Sequence, residues 1–175
     1  MTDRPTHKIT LFAMLTALIC AATLLNIPSP GGYSNLGDCM VLLTVFLIGP
    51  YWGMLCGAFG SALADLVLGC AYYIPGTLVV KGLSALIAGL IFFIGKNADP
   101  KYRTLRLIVA SVPAELWMVL GYFLYKTFLL GNPAGAMISL PRNLLQGAIG
   151  AAAAVLLTTV LFKIPSIRQV SYYEK

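Results

Sequence analysis

The chain has 175 residues, enough for one domain, and 59% of them are hydrophobic while only 10% are charged. A soluble domain carries about 25% charged residues, so this composition excludes disorder, a collagen-like fibre and an ordinary cytosolic enzyme; with a mean hydropathy of +0.85 it points to an integral membrane protein with little mass outside the bilayer. The net charge of +6 comes from twelve Lys and Arg against six Asp and Glu, and the basic residues sit mostly in short loops and tails, which is a membrane pattern rather than a nucleic-acid footprint.

The first eight residues are polar and basic, and an apolar run follows from Ile9. No small-residue cleavage site closes that run and further spans follow, so it is expected to be a retained first helix, residues 9–26, and not a signal peptide. The segment NIPSPGGYSNLG, with two prolines and three glycines, breaks it. A second helix is predicted at 36–48, a tight turn at Gly49-Pro50, and a third helix at 52–69. The loop CAYYIPG leads to a fourth helix at 77–94. The polar loop GKNADPKYR precedes a fifth at 105–130. The loop GNPAGAMISLP precedes a sixth at 142–164. The expected fold is therefore a single all-α membrane domain covering residues 1–175, with six transmembrane helices. The second helix is short: thirteen residues span about 20 Å against a bilayer core of about 30 Å. Such a helix is tolerated only if its end is buried in protein or lines a polar cavity, which draws attention to residues 36–39.

Lys and Arg bias sets the expected orientation. With the N-terminus inside, Arg4, Lys8, Lys96, Lys101, Arg103, Arg106, Lys163, Arg168 and Lys175 fall on the inner side, and Lys81, Lys126 and Arg142 on the outer side. That asymmetry places both termini in the cytoplasm.

Ionisable side chains within membrane spans are costly and usually functional. Asp38, Asp65, Lys81 and Glu115 are of this kind, and all but Glu115, near mid-helix, are expected toward the outer half. Asp38 at the start of an apolar helix suits an N-cap, a role slightly favoured over ligand contact. Lys81 has Asp65 or Asp38 as a possible ion partner. Glu115 has no partner near it in sequence, which favours ligand contact. Asn143 and Gln146 share a helix face and offer uncharged donors and acceptors suited to a heterocycle edge. Of the aromatic residues expected outside, Tyr122 lies seven residues after Glu115 on the same face, and Tyr33 sits in the Gly/Pro loop where it is placed to close over a pocket. An interfacial aromatic belt accounts for most of the others, including Tyr72, Tyr73 and Tyr125.

The candidate substrate contacts are thus Tyr33, Lys81, Glu115, Tyr122, Asn143 and Gln146. Catalytic and metal sites are not expected. There is no Walker A sequence, His7 is the single histidine, and Cys20, Cys39, Cys56 and Cys70 form no CxxC pair, so they read as small buried hydrophobes. Neither enzymatic activity nor a cofactor is expected. In the first helix, Ala13, Ala17 and Ala21 recur every four residues and form a flat stripe for close helix contact.

The stretch from GGYSNLGDCMVLL through GPYWG, GSALADL and YIPGTLVVKG, together with PRNLLQG further on, resembles the S components of energy-coupling factor (ECF) vitamin transporters. It is nearest to the riboflavin-type group that includes hydroxymethylpyrimidine and pyridoxine carriers. The resemblance implies a six-helix subunit that binds a vitamin or precursor from outside a cell membrane, bacterial by expectation. It also implies a transmembrane coupling subunit and two cytoplasmic ATPases as partners, with an AxxxA stripe, matched here by Ala13 and Ala17, meeting the coupling subunit. The alternatives are a self-sufficient secondary transporter using Asp38, Asp65 and Glu115 as a proton relay, or a structural membrane subunit.

Overall fold

The computed structural model describes residues 5–29, 32–94, 99–165 and 167. Among them the chain forms six α-helices and one β-hairpin: α1 (Pro5–Leu24), β1 (Asn26–Ser29), β2 (Gly32–Asn35), α2 (Gly37–Ile48), α3 (Pro50–Val67), α4 (Ile74–Ile94), α5 (Arg103–Leu124) and α6 (Pro133–Leu161). A five-residue π-helical turn, Tyr125–Leu129, extends α5. Short 3-10 turns at Ala71–Tyr73 and Pro100–Tyr102 lead into α4 and α5.

Three helical stretches are long and apolar enough to cross a membrane: Ala71–Ile94, Arg103–Leu129 and Pro133–Leu161. Shorter apolar helices lie at Ile9–Leu24 and Gly37–Ile48. Helix α5 turns Val109, Val112, Leu116 and Leu120 outward, all exposed. Such an apolar outer stripe would be a liability in water but suits lipid. The protein is a multi-pass membrane protein of the all-α class.

The interior packs around α2, which is short and nearly surrounded. Leu42, Val45 and Phe46 of α2 meet Ala88 and Phe92 of α4 and Leu107 of α5. The Phe46 and Phe92 rings stack tilted at 59°, with centroids 5.0 Å apart. A second cluster joins Ile19 of α1, Val41 of α2, Cys56 of α3 and Ala85 of α4. The turn between α2 and α3 is as tight as Gly49-Pro50 suggests: Gly49 adopts φ 92°, and Pro50 opens α3 at a position where its missing N–H costs no intrahelical bond.

Three local features differ from the sequence expectation. The Gly/Pro-rich break after α1 is an antiparallel hairpin, pairing Asn26 with Asn35 and Ile27 with Ser34. Helix α6 begins at Pro133, nine residues before the expected 142. Asn132 caps it by accepting the Gly135 N–H at 2.8 Å, and Pro133 occupies the first turn. Pro141, expected as the last residue of the preceding loop, lies inside the helix. Finally, Asp38 is not an N-cap. The capping position of α2 is Leu36, without a side-chain cap bond, and Asp38 points into the bundle.

Candidate functional site

Helices α2, α4, α5 and α6 each send a polar side chain to the hairpin end of the bundle. Asp38, Lys81, Glu115 and Gln146 are 1%, 4%, 6% and 8% exposed, so all four are withdrawn from solvent. Burying charge is tolerable only when it is paired and hydrogen-bonded, and three of the four satisfy that condition together. Lys81 Nζ forms an ion pair with Asp38 Oδ1. Gln146 Nε2 donates to Asp38 Oδ2 at 2.6 Å. The Asn35 N–H of β2 donates to Gln146 Oε1 at 3.3 Å, and Asn35 Oδ1 accepts the Gly37 N–H at 3.0 Å. One bonded chain therefore runs from the hairpin through α6 and α2 to α4.

A second set adjoins it. Thr77, one turn before Lys81 on α4, donates its hydroxyl to Asp65 Oδ2 of α3. The Thr77 hydroxyl also lies 3.0 Å from the Tyr122 hydroxyl of α5. The Lys81 ammonium stands 5.6 Å from the centroid of the Tyr122 ring, within cation–π range. Lys81 is thus held by Asp38 on one side and an aromatic ring on the other. Asp65 is bonded to Thr77 and is not the ion partner of Lys81.

Glu115 is the exception. Both carboxylate oxygens are buried and neither has a hydrogen-bond partner among the described residues. Its charged neighbours are Asp38 and Lys81. Its carboxylate is aimed at α6 beside Gln146: a Cβ at Gly147 would meet Glu115 Oε2 at 3.1 Å. Three residues on, a Cβ at Gly150 would meet the Asp38 Cβ at 2.8 Å. The two glycines let α6 approach α5 and α2 closely enough for Gln146 to reach Asp38.

The structure thus brings together Lys81, Glu115, Tyr122 and Gln146 from the predicted contacts. Asn143 is half-buried on α6 and joins none of these bonds among the described residues. Tyr33 lies in β2, but its side chain lies outside the described residues. Asn35 and Thr77 belong to the network without having been singled out. Thr77 is four residues before Lys81, a spacing that shares a helix face, so a signal for it existed. Tyr72, Tyr73 and Tyr125 cluster at the same end, the Tyr125 hydroxyl donating to the Tyr72 carbonyl at 2.7 Å. They tie the turn before α4 to the π-helical turn after α5. Among the described residues no group of His, Cys, Asp and Glu is arranged to hold a metal ion.

On α1, Ala13, Ala17 and Ala21 are all exposed, on a face that also shows Met14 and Leu18. The stripe is not consumed by packing against α2 or α3.

The profile of a protein family described as "ECF-type riboflavin transporter, S component" matches residues 4–163. A protein of Pyrococcus woesei, described as "Uncharacterized protein in gap 3'region", is 34% identical over 136 residues, which is 77% of this chain and 86% of the relative. The thiamine precursor transporter HmpT of Lactococcus lactis subsp. cremoris (strain MG1363) is 28% identical over 165 residues, covering 92% of this chain and 91% of the relative.

Proposed function

Given that this chain belongs to the S-component family of ECF-type riboflavin transporters, we propose that it is the substrate-binding subunit of an ECF-type importer. It captures a water-soluble vitamin or vitamin precursor at the hairpin end of the bundle, which faces outward. The observation that carries this reading is Glu115: a carboxyl group withdrawn into an apolar bundle, unbonded among the described residues, beside the mutually bonded Asp38, Lys81 and Gln146. A purely structural carboxylate in this position would be a cost without a return. A ligand that donates to it removes the cost.

The small polar ring of hydroxymethylpyrimidine or pyridoxine suits this site, and the name of the Lactococcus relative supports the first. All six helices cross a bacterial cell membrane in this reading, with both termini cytoplasmic as the basic loops imply. Transport energy comes from partners, a transmembrane coupling subunit and two cytoplasmic ATPases. The exposed Ala13/Ala17 stripe supports a docking role for α1.

The test is to purify the subunit, identify the small molecule that accompanies it by mass spectrometry, and reconstitute it with and without a coupling module. A bound vitamin-class heterocycle, and uptake only with the coupling module and ATP, is the expected result. Uptake by the subunit alone, driven by a proton gradient, would replace this reading with a secondary transporter.

A further inference from the structure

Three basic residues fall on the outer side, and Lys81 is matched by Asp38. The other two are gathered at one place. Lys126 lies in the π-helical turn after α5 and Arg142 on α6, both part-buried, and the Arg142 charge acts directly on Lys126. Neither has an acidic partner among the described residues, where the ion pairs are Lys81 with Asp38 and Lys101 with Asp99. Lys126 Nζ reaches Ser139 Oγ at 3.5 Å. That hydroxyl gives its own proton to the carbonyls of Gly135 and Ala136 and neutralises no charge. Two like charges held together repel, and an anion between them removes the cost.

Both cations lie over the candidate site. Arg142 precedes Gln146 by four residues and Lys126 follows Tyr122 by four. That spacing sets each about one turn, roughly 6 Å, further toward the hairpin end. Arg142 is also a charged neighbour of Tyr73 in the turn before α4, so its field reaches across from α6 toward α4. A carboxylate would match one of the two charges. A phosphate monoester carries nearly two negative charges and three strong acceptor oxygens, enough for the Arg142 fork and the Lys126 ammonium together. We propose that Lys126 and Arg142 hold the phosphate of a small aromatic ring that is phosphorylated on a hydroxymethyl arm. The ring occupies the level of Tyr122 and Gln146, and the arm carries the phosphate one turn outward. The preferred ligand is then the ester and not the free alcohol.

This rests on the binding site proposed around Glu115, and the experiment separates the two. Calorimetric titration of the purified subunit would use two matched pairs: 4-amino-5-hydroxymethyl-2-methylpyrimidine and its phosphate monoester, and pyridoxine and its 5′-phosphate. In at least one pair the ester should bind tighter by about tenfold to a hundredfold, as one charge-assisted bond or more would give. Added salt should shrink that ratio, because the contact lies near water. In the double variant Lys126→Gln with Arg142→Gln the ratio should fall to about one. Because the ratio is first read on the unaltered protein, a folding defect in the variant would not hide the answer. Equal affinity within both pairs, or tighter binding of the alcohols, would overturn the phosphate site and leave the S-component reading in place. An ester preference that survives in the double variant would overturn it too, since the phosphate would be held elsewhere. The same cations could instead meet a lipid phosphate: native mass spectrometry showing retained phosphatidylglycerol, lost in the double variant and with no ester preference, would overturn the ligand assignment. Binding of none of the four probes would also overturn it, while a different co-purified vitamin would still support the transporter reading.

Discussion

Asp38 and Glu115 are both buried acidic side chains in apolar helices, and their surroundings differ: one is paired and the other is not. Asp38 is held by Lys81 and Gln146, so its charge is part of the fold. Removing one member of a buried ion pair strands the other, at a cost of about 3–5 kcal/mol. Lys81→Met should therefore lower the thermal unfolding temperature in detergent sharply, and adding Asp38→Leu should recover part of the loss. A double replacement no more stable than Lys81→Met alone would show that the pair is not the source of the stability. Glu115 has no such partner among the described residues. Glu115→Ala should leave the ligand-free protein as stable as before or more so, because it removes an unpaired polar group from the interior. Ligand affinity should drop by tenfold to more than a hundredfold, matching about 1.5–3 kcal/mol for a charged hydrogen bond. Unchanged affinity in a calorimetric titration would remove Glu115 from the site. The contrast between these two variants separates a structural charge from a functional one.

At the scale of elements, α6 is the piece that assembles the site, because Gly147 and Gly150 let it lie against α5 and α2. A valine at position 150 places its Cβ 2.8 Å from the Asp38 Cβ, closer than Cβ contacts allow. Gly150→Val should push α6 outward, lower thermal stability and weaken ligand binding together. Ala152→Val, on the exposed opposite face, should change neither; equal effects from the two would mean that the α2–α6 approach does not matter. The helices themselves were legible in the sequence, because long apolar runs punctuated by Gly and Pro have few other solutions in a membrane. So was the gathering of Lys81, Glu115, Tyr122 and Gln146, since rare ionisable groups in apolar spans stand out against their neighbours. What was not legible depended on tertiary contacts. The hairpin at Asn26–Asn35 is held by pairing between two four-residue strands, too short for a hydropathy pattern to register. Asp38 sits where a cap is expected, yet Lys81, 43 residues away, captures it. The loop expected to run through Pro141 is helical instead, because Asn132 and Pro133 open the helix more than two turns earlier.

For the whole molecule, orientation and division of labour belong together, since the proposed outward-facing site at the hairpin end requires the opposite end to meet the proposed cytoplasmic partners. In a variant cleared of its four native cysteines, single cysteines at Pro28 or Ala134, both exposed, should react with an impermeant maleimide added outside cells. One at exposed Lys101 should be protected until the membrane is opened. The reverse pattern would overturn the positive-inside assignment and the outward pocket with it. The Ala13/Ala17 stripe then supplies the sharper test. These two residues are exposed on α1 and make no part of the polar network, so bulk added there does not reach the pocket. Small residues allow the close helix approach on which docking within a membrane depends. Ala13→Trp with Ala17→Trp should therefore leave ligand affinity of the isolated subunit unchanged and abolish uptake in vesicles that contain the coupling subunit and both ATPases. Co-purification with the coupling subunit should be lost in parallel. If uptake persists at the original rate, α1 is not the docking face. If affinity falls together with uptake, the stripe acts through the fold of the subunit and not through its partner.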